Sequence, residues 1–283
     1  MKSFYKITLF LFMAVVTVLS CKKKDYSLSS LPDKSAINME VKQDLTVDAG
    51  GNTVYLTTHT GQIVPVWDYG TGKSNRQVDT IRFAFKGEYT IKRTAVTAGG
   101  LVELDPVTIK VTQDNLLYVN DPLWNLLSGG PGKEKTWVLD IDAKVFDGPL
   151  YFYGTDNGWG GDCTKPGGDC WNWNPKYVDN TWLMASGDYG TMTFNLKGGP
   201  FVKVVHTKVP GRSTENGTYY LDRDKKTLTI NNAAPLHDSG RDGCVAQWGN
   251  IRLLSLTETS MQFAVMRTSC EPPCLLVYNY RAQ

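Results

Sequence analysis

The sequence predicts an all-β protein of two sandwich domains, and three observations carry that prediction. Short runs rich in Val, Ile, Thr and aromatic residues recur along the chain with turn residues between them. The 27 Gly, 14 Tyr and 8 Trp in 283 residues favour strands and exposed loops over long helices. Beyond the first 20 residues only positions 123–127 read as a short helical turn. The expected architecture is an N-terminal Ig-like sandwich followed by a C-terminal jelly-roll β-sandwich.

At the start of the chain, Lys2 and Lys6 precede an apolar run over residues 7–19, and Ser20 and Cys21 follow at once. A charged start, an apolar stretch and a small residue make a cleavable export signal. The run is shorter than the roughly 20 apolar residues a membrane-spanning helix needs. Val18-Leu19-Ser20-Cys21 resembles a bacterial lipobox. That resemblance implies that residues 1–20 are removed and that lipid on Cys21 holds the mature protein on a membrane. Residues 21–35, which open with Lys22, Lys23 and Lys24, carry too little apolar surface to fold and read as a flexible tether.

Residues 36–113 form the first domain, with strands expected over 53–59, 62–68, 80–85, 87–97 and 105–112. Val66-Trp67-Asp68-Tyr69-Gly70-Thr71-Gly72 and Phe85-Lys86-Gly87-Glu88-Tyr89-Thr90-Ile91 resemble the signature segments of a PKD domain, with Thr71 in place of the usual Asp. The resemblance implies a spacer in which Trp67 belongs to the core.

Residues 122–283 form the second domain. Strands are expected over 136–140, 150–153, 181–184, 191–196, 201–206, 217–222, 227–230, 250–257, 260–267 and 275–281, a number that suits a jelly roll. Trp124-Asn125-Leu126-Leu127-Ser128-Gly129-Gly130, Lys135-Thr136-Trp137-Val138-Leu139-Asp140, Tyr189-Gly190-Thr191-Met192-Thr193-Phe194 and Leu253-Leu254-Ser255-Leu256-Thr257-Glu258 resemble the glycan-binding part of Bacteroidetes surface lipoproteins encoded beside polysaccharide-uptake machinery. The resemblance implies an outer-membrane, lipid-anchored protein exposed on the cell surface. It also implies a polysaccharide ligand, with a β-glucan preferred, and a SusD-like protein and a TonB-dependent transporter as partners.

The residues suited to that chemistry cluster over positions 151–182. Trp159, Trp171, Trp173 and Trp182 stand there among Asp156, Asn157, Asn172 and Asn174, and Trp248 follows a Gly/Asp-rich loop as a further candidate. Indole faces stack on the C–H faces of pyranose rings, and short polar side chains bond the hydroxyls at the ring edge. Period-two spacing sets Trp171 and Trp173 on one face. The alternative is that they cover a sheet edge as core. Calcium is the one cofactor the segment suggests, through the oxygen ligands Asp156, Asn157, Asp162 and Asp169, but no EF-hand ladder is present and Asx turns explain the segment equally well.

Export permits disulfides among the five cysteines left after Cys21. Cys163 with Cys170 would close a Gly/Pro loop, and Cys270 with Cys274 would clip the Glu-Pro-Pro turn. Pairing of Cys244 with Cys270 or Cys274 is equally open. No Cys-x-x-Cys appears, and His59, His206 and His237 lie far apart in sequence, so no metal is expected.

The formal charge of +2 includes Lys2 and Lys6, so cleavage after residue 20 leaves a neutral chain, which argues against nucleic acid. A jelly-roll glycoside hydrolase would need two carboxyl groups about 5 to 9.5 Å apart. The nearest same-face pair, Asp140 and Asp142, lacks the Glu-x-Asp-x-x-Glu run of laminarinase-type enzymes. Non-catalytic glycan binding is therefore expected, with the hydrolase or a protein-binding adhesin as the alternatives.

Overall fold

The computed structural model describes residues 28–283; the signal segment, Cys21 and the first part of the tether lie outside the described residues. Ser29 donates its N–H to the Ala98 carbonyl at 3.2 Å, which lays the incoming chain against the first domain. Lys34–Ala36 then forms a 3₁₀ turn capped by the Asp33 carboxylate.

Seven strands build the first domain: β1 (Met39–Asp44), β2 (Thr53–Thr58), β3 (Val64–Asp68), β4 (Lys73–Ser74), β5 (Val78–Arg82), β6 (Gly87–Thr97) and β7 (Gly100–Val111). They pair antiparallel in two sheets, β1-β2-β5 and β4-β3-β6-β7. Val54 and Leu56 of one sheet meet Ile91, Ala95 and Ile109 of the other around the fully buried Trp67. The indole N–H of Trp67 donates to the Arg76 carbonyl at 3.1 Å, so its one polar atom is satisfied in the core. Strands β1 and β4 are additions to the expected set, and β7 begins five residues earlier than its sequence suggests.

The second domain departs from the expected jelly roll. Its strands are β8 (Glu134–Leu139), β9 (Leu150–Tyr153), β10 (Asn172–Trp173), β11 (Gly190–Leu196), β12 (Pro200–His206), β13 (Thr214–Asp222), β14 (Thr227–Asn231), β15 (Asn250–Leu256), β16 (Ser260–Arg267) and β17 (Cys274–Ala282). From β11 to β17 each strand pairs antiparallel with its sequence neighbour, and the C-terminal end of β17 pairs with β8, Tyr280 opposite Leu139. One sheet thus closes into an eight-stranded up-and-down barrel, where a jelly roll would have two facing sheets. The interior is filled by Trp137, Phe194, Tyr219, Phe263, Tyr278 and Tyr280, all almost fully buried, so the barrel is a packed core and not a ligand cavity.

Short turns join the strands at one end of the barrel, where the single α-helix of the described residues, α1 (Pro122–Ser128), also lies. Asp121 caps its N-terminus by accepting from Leu123 N–H at 2.9 Å, Pro122 opens it, and Gly129 ends it at φ 82°. Trp137 donates its indole N–H to the Leu127 carbonyl at 2.9 Å, which fixes the helix to the barrel. The first domain abuts this end, where Ala84 and Phe85 join Val119, Leu123 and Trp124 in the barrel's own core cluster. The longer connections, residues 140–189, 207–213, 232–249 and 268–273, emerge at the other end.

Candidate functional site

At the long-loop end β17 changes partners. Its last residues bond β8, whereas Leu275 to Tyr278 bond β9, so the wall extends outward through β9 and β10. Strand β9 is buried on both faces: Leu150 and Phe152 enter the barrel core, while Tyr151 and Tyr153 pack on Leu254, Ala264 and Val277. Trp173 lies directly opposite Phe152 across the β9–β10 ladder, with the two rings stacked at 5.2 Å. Beyond it stands Trp182, 6.4 Å from Trp173 between ring centres and inclined by 31°.

An open cleft of about 590 Å³ lies along this series. Trp171, Trp173 and Trp182 line it with 47%, 43% and 72% of their surface exposed. Trp171 and Trp173 share its face, as alternation along an extended segment requires. Trp182 belongs to no strand. Residues 181–184, expected as one, are a 3₁₀ turn (Thr181–Leu183), because Leu183 N–H closes back on the Asn180 carbonyl at 3.0 Å instead of meeting a neighbouring strand. Tyr177 O–H donates to the Met184 carbonyl at 2.7 Å and Arg241 donates to the Leu183 carbonyl at 2.8 Å, so the turn is pinned on both sides of the protruding indole.

The opposite wall comes from two loops that carry no sequence motif. The 3₁₀ segment Ser239–Cys244 supplies Arg241, with Asp238 just before it, and the end of β16 and the turn before β17 supply Arg267 and Glu271. The disulfide Cys244–Cys270, with Cα atoms 5.5 Å apart, ties the two loops together. Arg241 lies 5.4 Å over the Phe152 ring on its way to Asp238, which it bonds at 2.8 Å. Tyr189 closes the base; burial pushes its hydroxyl up to about 12, and it donates to the Ala185 carbonyl. Phe152, Tyr189, Asp238, Arg241, Arg267 and Glu271 escaped the sequence reading. The one signal for them was the alternative pairing of Cys244 with Cys270, which brings their loops together.

Several expected contact residues serve the scaffold instead. Trp159 is half-buried on the barrel wall under the Lys226 ammonium, 5.2 Å from the ring centre, and does not line the cleft. Trp248 is buried: it stacks on His237 at 3.7 Å and donates its N–H to the Asp242 carbonyl. Asn157 is buried too, its amide donating to the Trp171 carbonyl at 3.0 Å. Asp156 accepts from Asp169 N–H and from Lys165, and the Asp169 hydrogen bond leads in holding its carboxyl below the ordinary range. Together they fold the loop that presents Trp171. Asn172 and Asn174 are exposed beside Trp173 but do not line the cleft.

The same loop crosses so close to β9 that a Cβ on Gly154 would sit 2.2 Å from the Asp169 carbonyl oxygen, so only glycine fits there. Cys163–Cys170 closes it. Cys274, expected as a partner of Cys270, is a free thiol: it begins β17 with its side chain in the barrel core, and burial raises its pKa.

The carboxylates considered for catalysis are separated by burial. Asp140 is buried and accepts from the N–H groups of Lys144, Val145 and Phe146, capping a turn, while Asp142 is exposed. Among the described residues no three His, Cys, Asp or Glu side chains converge as a metal site. Nor is any described helix long and apolar enough to cross a membrane. Compared with known proteins, the chain matches no protein-family model and no curated protein sequence.

Proposed function

We propose that this protein is a non-catalytic polysaccharide binder, held on the outer membrane by lipid on Cys21, which takes its ligand in the cleft bordered by Trp171, Trp173 and Trp182. The observation that carries the reading is the convergence of three exposed indoles on one open cleft, in loops braced by two disulfides. Exposed apolar rings gathered in this way mark a binding surface. The cleft volume lies within the ordinary range for ligand sites, about 300 to 1,000 Å³.

The non-catalytic reading is supported by the two carboxylates at the cleft, since Asp238 is bound to Arg241 and Tyr278 and Glu271 to Arg267. Neither is poised as a free acid or base. The first domain is read as a PKD-type spacer, in keeping with its seven strands and buried Trp67. A SusD-like protein and a TonB-dependent transporter are the proposed downstream partners.

The test is affinity electrophoresis of the full chain through gels containing β-glucan, xylan, mannan or α-glucan. At least one should retard the protein, and Trp173→Ala should weaken that binding by about 30-fold, the roughly 2 kcal/mol of a hot spot. Normal retardation of the Trp171→Ala, Trp173→Ala and Trp182→Ala proteins alike would refute the reading.

A further inference from the structure

Four charged side chains border the cleft: Asp238, Arg241, Arg267 and Glu271. Their formal charges cancel, and each cation is paired with a carboxylate of the protein. Arg241 donates to the Asp238 carboxylate and to the Leu183 carbonyl, both at 2.8 Å. Arg267 forms an ion pair with Glu271, and its Nε and Nη2 donate to the Pro272 carbonyl at 3.0 and 2.7 Å. Asp238, 5% exposed, takes its remaining hydrogen bond from Tyr278 O–H at 2.8 Å.

From this closed set of pairs we infer that the cleft selects polysaccharides without charge and rejects chains bearing uronate or sulfate groups. The inference rests on the glycan-binding reading above and narrows its ligand class. A carboxylate or sulfate on the ligand needs a cation whose charge is not already compensated, because an anion moved out of water is costly unless it is paired. Drawing Arg241 away from Asp238 would supply one only by stranding a buried carboxylate, the most expensive way to break an ion pair. Arg267 has its charge compensated by Glu271 and is held further by the Pro272 carbonyl. Glu271 itself, 66% exposed at the rim, adds a repulsive charge toward any polyanion. Lys208, 5.4 Å over the Tyr189 ring, is not among the lining side chains. The indoles, by contrast, need only the apolar C–H faces that an uncharged pyranose presents.

The experiment compares uncharged polysaccharides (β-glucan, xylan, mannan, α-glucan) with polyanions (alginate, polygalacturonate, chondroitin sulfate), using the full chain and its Trp173→Ala variant. Each is run at about 0.05 M and about 0.5 M NaCl, so that charge attraction is strongly screened in the second. The expected result is Trp173-dependent retardation by at least one uncharged chain, changing less than about twofold with salt, and no Trp173-dependent retardation by any polyanion. Trp173-dependent binding of a polyanion would overturn the inference while leaving the glycan-binding reading in place. Failure to bind any polysaccharide of either kind would overturn both.

Discussion

Trp248 and Trp182 carry the same side chain into opposite surroundings. The first is 7% exposed and sandwiched in the barrel; the second is 72% exposed at the tip of a turn. Trp248→Ala should therefore cost about 3 to 5 kcal/mol of stability, because it opens a cavity beside His237 and Tyr278. Trp182→Ala should cost less than about 0.5 kcal/mol, as for an exposed site, and denaturant unfolding of the two variants measures the difference. His206 gives a pH dependence. Its ring is buried with neither nitrogen hydrogen-bonded, and desolvation outweighs the nearby Glu215 in holding its pKa below 6.5, while His237 and Arg212 add to the lowering. A histidine with a lowered folded pKa contributes stability that is present above the unfolded value near 6.5 and is lost as pH falls through the folded one. Melting temperature should therefore fall on acidification below about pH 6.5, and less steeply in His206→Phe, compared by thermal scans at stepped pH. At this scale the sequence was informative about which residue types gather and uninformative about exposure. Trp171 and Trp173 stand in a Gly/Asp/Asn stretch and are exposed; Trp248 follows a similar stretch and is not, because it packs on His237 of its own connection and on Tyr278 of the distant strand β17.

The cleft depends on two kinds of element, a short edge ladder and a pair of strapped loops. Strand β10 holds only Asn172 and Trp173, and the close crossing at Gly154 sets its distance from β9. Gly154→Ala should push β10 outward and weaken glycan binding at least about tenfold, a change that titration calorimetry resolves. The opposite loops are held by Cys244–Cys270, which spans 26 residues of sequence. Replacing both cysteines by serine should cost about 2 to 4 kcal/mol of stability and weaken binding, since the loops that carry Arg241 and Glu271 lose their common anchor. Strand β9 was legible because Leu150, Tyr151, Phe152 and Tyr153 form an unbroken apolar run, which a strand buried on both faces needs. The turn at Thr181–Leu183 was not: Thr, Trp and Leu suit a strand equally well, and what decides is the absence of a neighbour to pair with, a fact of tertiary structure. The loops around Arg241 and Glu271 have no periodicity to read, and only the choice of cysteine partner joins them.

At the scale of the whole molecule, the strand content was visible in turn spacing, but barrel closure was not. Alternating burial such as that of β11 is the same in a sandwich and a barrel; the difference lies in β17 bonding β8 across nearly the whole domain. The two domains also share more than a tether. Phe85 sits in the barrel's core cluster, and Asp48 accepts hydrogen bonds from Tyr118 O–H and from the Asn115 amide. Phe85→Ala should cost about 3 to 5 kcal/mol and lower the unfolding midpoints of both domains together in a calorimetric scan, whereas independent units would show one midpoint moving alone. A further consequence follows from the direction of β1 and β7. Strand β1 starts beside the Ala36–His59 end of the sandwich and runs toward the barrel, and β7 leaves the Thr97–Gly100 hairpin, near Ser29, and runs the same way. They lie side by side, since Gln43 donates to the Lys110 carbonyl at 3.0 Å and Arg93 links to the Met39 carbonyl. Any tension between the N-terminus and a ligand in the cleft enters through β1 and leaves through β7. The ladder bonds of both strands lie across that axis and carry the load together in shear, not one after another as in a peeled hairpin. In mechanical terms the sandwich is a shackle, whose resistance to pulling is governed by its rate of forced unfolding and not by its equilibrium stability.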